Sequence, residues 1–146
     1  MIKTLADVTR IHAQHRGEKS ALFYADDGRE WTYSELDFQA NIVANALLAA
    51  GVTAGDRVAY LDKNSPEYFT VLFGGAKINA VSVAVNWRLA PPEIEYILNH
   101  SQAEVLIIGE EFLPIAAEMD LPLIKTVAVI GDPGSSGHPS YEQWLV

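Results

Sequence analysis

Cysteine is absent from all 146 residues. That excludes a disulfide framework, a thiolate zinc site and a cysteine nucleophile, and it fits a reducing compartment. Basic residues are scarce: ten Lys plus Arg stand against nineteen Asp plus Glu, for a net charge of −9. Phosphate backbones and anionic bilayers both require a basic footprint, so no nucleic-acid partner and no anionic membrane surface is expected. Long apolar runs are missing too. The longest, Ala80 to Val85, is interrupted by Ser82 and is far too short to span a bilayer. Met1 to Asp7 leads into no apolar signal region. A cytoplasmic protein without a transmembrane segment is the expectation. What is present suffices for a core: 49% of residues are hydrophobic and 20% charged, which excludes disordered, collagen-like and low-complexity classes.

The pattern along the chain predicts an α/β fold. Asp7 to Arg16 reads as a short helix with Val8, Ile11 and His15 on one side. Two short β-type runs, Ala21–Tyr24 and Glu30–Tyr33, flank Asp26-Asp27-Gly28, a turn signal, and so predict a hairpin. Thr32 and Glu35 have capping-box spacing, and Leu36, Ala40, Val43 and Leu47 fall on one face of the helix that follows. Gly51 suits the left-handed position after its end. From there strand and helix alternate. Strands are predicted at Arg57–Leu61, Val81–Val85, Val105–Ile108 and Val127–Ile130. Helices are predicted from Ser65-Pro66-Glu67, with Ser65 as cap and Tyr68, Phe69, Leu72, Phe73 and Ala76 as apolar face, from Pro91-Pro92-Glu93, with Ile94, Ile97 and Leu98 buried, and over Glu110–Met119. Apolar strands between helices predict βαβ units with right-handed crossovers, hence a three-layer, mostly parallel sheet with helices on both faces, plus the amino-terminal β-hairpin. The segment Tyr141–Val146 starts another helix and stops, with Trp144 and Leu145 needing a partner; the chain reads as truncated.

Candidate chemistry is sparse. The loop Gly131–Gly137 follows a strand, yet it lacks both a Lys and the G-x-G-x-x-G order, so a surface connection accounts for it better than a phosphate cradle. His12 and His15 share a helix side but lack a third metal ligand, and His100 suits a helix end. The acidic pairs sit where turns and helix dipoles explain them, and no serine lies in a G-x-S-x-G elbow. Tyr68, Phe69 and Phe73 read as core. Asn86-Trp87-Arg88-Leu89 is different, because it follows a strand's carboxyl end, where open parallel sheets bind ligands. Trp and Arg there can stack on and pair with a nucleotide phosphate. The alternative, slightly favoured on the residues alone, has Trp87 and Leu89 packing the loop and Arg88 paired with a carboxylate.

Four blocks together resemble the amino-terminal part of the adenylate-forming acyl-CoA synthetases. They are Trp31–Leu36, Gly51–Val58, Asn64–Tyr68 continuing into Gly74, Ala76, Lys77, Ala80 and Val81, and Val85–Ile94. Their order and spacing match from Leu5 to Leu145, and the Asn-x-Arg-Leu block is similar to the fatty acid and aromatic acid ligases. Asn79 stands where the family typically has Gly, and Ala84 where it often has Pro. The resemblance implies that residues 1–146 are the first subdomain of the large N-terminal, AMP-binding domain. It implies a parent that joins a carboxylic acid to ATP, releasing pyrophosphate, and then passes the acyl group to coenzyme A, with Mg²⁺ assisting. The family's Thr-rich phosphate loop with its Lys, its aromatic-Thr-Glu segment, its ribose-binding Asp and its carboxyl-terminal Lys have no counterpart here. No catalytic and no metal residue is therefore expected in this chain, which by itself should be inactive. Asn86, Trp87 and Arg88 are implied to line the coenzyme A entrance. A stand-alone protein-interaction module and a flavodoxin-like nucleotide binder are the competing expectations, and truncation predicts a homodimer through an uncovered sheet edge or apolar face.

Overall fold

The computed structural model describes residues 1–146. Helix α1 (Ala6–Arg16) precedes a hairpin of β1 (Ser20–Phe23) and β2 (Glu30–Thr32), paired antiparallel. Thr32 ends the hairpin and starts α2 (Tyr33–Ala49): its hydroxyl accepts the Glu35 N–H at 3.2 Å, while the Glu35 carboxylate accepts the Thr32 N–H at 2.8 Å. Leu36, Ala40, Val43 and Leu47 are all buried along one face, as their spacing predicts. Gly51 closes the helix at φ +86°.

Four βα units follow: β3 (Arg57–Leu61), α3 (Pro66–Lys77), β4 (Val81–Ala84), α4 (Pro91–His100), β5 (Ala103–Gly109), a 3-10 turn (Glu110–Phe112) with the short α5 (Leu113–Ala116), β6 (Thr126–Ile130) and α6 (Tyr141–Trp144). The strands form one parallel sheet in the order β4-β3-β5-β6. Alternate residues of each central strand serve opposite faces. Val58, Tyr60, Val105, Ile107 and Ala128 pack against α2, α3 and α6, while Ala59, Leu61, Leu106, Ile108 and Val129 pack beneath α4 and the 3-10 turn. The three-layer arrangement follows.

Several expectations need correction. The one buried residue of α1 is Thr9, whose hydroxyl donates to Asp37 at 2.7 Å, while His15 is exposed. The buried side of α3 is Glu67, Thr70, Val71, Gly74 and Gly75, and Phe69 on the aromatic flank is 37% exposed. A Cβ on Gly74 would lie 2.8 Å from that of Val43 and 2.9 Å from the Ala40 carbonyl oxygen, so α3 rides on α2 through bare backbone. Strand β4 is an edge strand with exposed ends, not one covered on both faces. The stretch Glu110–Met119 is no continuous helix, because Pro114 has no N–H to offer the Glu110 carbonyl. Ser65 occupies the cap position of α3 without a capping bond, and its hydroxyl turns instead to the Tyr60 phenol at 2.8 Å.

Candidate functional site

The helix that follows β3 packs on one face of the sheet and the helix that follows β4 on the other. Such a divergence opens a crevice at the carboxyl ends of the strands, where ligands of parallel sheets bind. The loops at this end are 62–64 after β3, 86–89 after β4, 110–112 after β5 and 131–139 after β6.

A cleft of about 320 Å³ lies between the first two, lined by Tyr60, Asp62, Asn64, Tyr68, Ala84, Val85, Asn86, Trp87 and Arg88. The tight turn that carries Trp87 is set by Asn86, whose side-chain oxygen accepts the Arg88 N–H at 3.1 Å and whose carbonyl accepts the Leu89 N–H at 3.2 Å. Trp87 is half-buried, with its ring centroid 6.2 Å from that of Phe112. The Arg88 guanidinium stacks on the indole at 4.3 Å and makes no ion pair within the chain. This corrects the expected carboxylate partner for Arg88. Across the cleft, Tyr60 and Tyr68 meet edge to face at 5.2 Å. Burial holds the Tyr60 phenol well above its ordinary range, so it stays neutral as a hydrogen-bonding group. Burial also raises the Asp62 carboxyl, which accepts its neighbour Lys63's N–H at 2.7 Å and lies against Gly109, where any side chain would collide with it.

The remaining candidates fall away from this cleft. The Gly131–Gly137 loop keeps its donors for itself: the Glu110 carboxylate accepts the Asp132 N–H, and Asp132 accepts the Gly134 N–H at 2.8 Å. A carboxylate already set against Gly131 is the wrong charge for a phosphate, in keeping with a surface connection. His12 lies against Tyr33 with ring centroids 4.9 Å apart, and His100 ends α4 stacked on Tyr96. No three His, Asp or Glu side chains are grouped to hold a metal ion by themselves. Sequence reasoning missed Asp62 and Lys63, and quoted Asn64 only within a family block. Their position directly after an apolar strand is the same signal that drew attention to residues 86–89.

The sequence profile of the AMP-binding enzymes matches residues 9–142. The chain belongs to the AMP-binding enzyme family. Among its relatives are a fatty acid–[acyl-carrier-protein] ligase, ScoC, of Streptomyces coeruleorubidus, 41% identical over 131 residues, and a 3-hydroxybenzoate–CoA/4-hydroxybenzoate–CoA ligase of Thauera aromatica, 43% identical over 129 residues. These matches cover 90% and 86% of this chain but 25% and 24% of the relatives, so the chain spans about a quarter of the length of those AMP-binding enzymes. The crystal structure of the anthranilate CoA ligase AuaEII in complex with anthranoyl-AMP superposes with a TM-score of 0.90 at 37% identity, covering 98% of this chain and 28% of that one. The α/β architecture is thus that of AMP-binding ligases.

Proposed function

We propose that this chain is the opening subdomain of an ATP-dependent acid–CoA ligase acting on a fatty or aromatic acid in the cytoplasm. The family match over residues 9–142 carries this reading. The carboxylate displaces pyrophosphate from ATP to give an acyl-adenylate, and the coenzyme A thiol then displaces AMP to give the thioester. The chain contributes scaffold and one wall of the coenzyme A entrance, formed by Asn86, Trp87 and Arg88. The unpaired guanidinium beside an aromatic face supports this, since such a pair suits a phosphorylated purine. Alone, the chain neither adenylates nor transfers, because the family's Lys-bearing phosphate loop, aromatic-Thr-Glu segment, ribose-binding Asp and carboxyl-terminal Lys have no counterpart in it. Free β4 supports self-association as a homodimer.

A chimera tests the reading. Residues 5–145 replacing the matching stretch of the Thauera aromatica ligase should release pyrophosphate only when ATP, Mg²⁺ and an acid are all present. The 146-residue chain under the same conditions should release none. A folded chimera silent with every acid would sink the ligase assignment. Turnover with an acyl carrier protein but not with coenzyme A would replace the acceptor, as the name of the 41% identical relative suggests.

A further inference from the structure

Two cations of different standing lie against Trp87. Lys63 Nζ, from the loop after β3, lies 5.4 Å from the indole centroid, and Arg88 lies at 4.3 Å. Lys63 already has a carboxylate: Glu111, from the turn after β5, receives its ammonium at 2.6 Å across 48 residues of sequence. Phe112, next to Glu111, meets the same indole. Arg88 has no such partner, and its guanidinium donors are all free of protein acceptors.

We propose that Lys63, paired with Glu111, is a positioning residue that fixes the Trp87 ring. The coenzyme A readout of its test rests on the cleft reading above, in which Arg88 is the cation presented to the coenzyme. An ammonium over an indole is attracted by the ring's negative face, and here it is fixed in place by a carboxylate on a third loop. The pair thus ties together the loops after β3, β4 and β5. The Lys63 ammonium has a carboxylate partner, whereas the Arg88 guanidinium has none. An unpaired guanidinium with a planar fork of donors is suited to an oxyanion.

The test uses the 146-residue chain and has two readouts. The indole N–H resonance of Trp87 reports ring position without ligand. Titration with coenzyme A at several salt concentrations reports affinity and its charge dependence. Lys63→Met and Glu111→Gln should each shift or broaden the Trp87 resonance and weaken coenzyme A binding by about two- to fivefold, with the salt dependence unchanged. Lys63→Arg, which keeps the charge, should restore both. Arg88→Ala should flatten the logarithmic salt dependence by about one charge, which Lys63→Met should not. A Trp87 resonance identical in Lys63→Met and the parent overturns the positioning role whether or not coenzyme A binds. A shifted Trp87 without any coenzyme A binding to the parent chain instead overturns the cleft reading and leaves the positioning role standing.

Discussion

Asp62 shows how a single side chain carries the cost of a crevice. Burial is the main cause that lifts its carboxyl above the ordinary 3.8, and the negative charges of Glu67 and Glu111 add to it. A carboxyl whose folded-state value exceeds its unfolded one binds protons more tightly in the native state. Stability therefore rises as pH falls through the window between the raised value and 3.8, and the ionised group opposes folding above that window. Asp62→Asn retains an oxygen for the Lys63 N–H at 2.7 Å and removes the charge. It is expected to unfold at higher denaturant concentration than the parent at about pH 7, with the advantage fading by about pH 4. Denaturation midpoints at the two values check this, and a constant difference at both contradicts the assignment. Asn79 is the complementary case. It sits at φ +58°, a left-handed position that glycine fills most easily and asparagine next, which explains physically why it stands where the family typically has Gly.

At the scale of elements, the contact between α2 and α3 turns on adjacent glycines with opposite surroundings. A methyl at Gly74 meets Val43 and Ala40 at 2.8 and 2.9 Å, whereas one at Gly75 finds nothing closer than the Ala80 Cβ at 3.8 Å. Gly74→Ala is expected to destabilise by about 1–3 kcal/mol through overpacking. Gly75→Ala is expected to stabilise by up to about 1 kcal/mol through helix propensity. Urea midpoints of the two variants check the pair, and a shift of the same sign in both would refute the close approach. This is also where the sequence was least legible. Caps, turns and the period of α2 are local properties, so Thr32, Glu35, Gly51 and the four strands could be placed from their neighbours alone. The face that α3 buries is not local. Its aromatic residues suggested one side, but the helix seats Gly74 against α2, leaving Tyr68 and Phe69 beside the hairpin and the cleft. Of the candidate site, Asn86, Trp87 and Arg88 were visible because they follow a strand. The Lys63–Glu111 contact was not, since only the parallel order β4-β3-β5 brings those loops together.

Across the whole molecule, the sheet is protected unequally at its two margins. Segment 139–140 lies along the outer side of β6, where the Val129 N–H reaches the Pro139 carbonyl at 3.1 Å. Strand β4 has β3 as its one neighbour, and Val81 is 47% exposed beside its open backbone groups. Self-association through β4 is expected to grow with concentration and to weaken on Val81→Lys, because a charged edge resists strand addition. Sedimentation velocity across a concentration series checks this, and a monomer at every concentration contradicts it. The amino-terminal helix is secured in another way. One oxygen of Asp37 on α2 receives both the Thr9 hydroxyl of α1 and the ammonium of Lys77 at the end of α3, each at 2.7 Å, with Thr9 fully buried. Three helices converge on that atom, so a protease nick in the short turn between α1 and the hairpin would cut the polypeptide yet leave the severed helix clasped to the body.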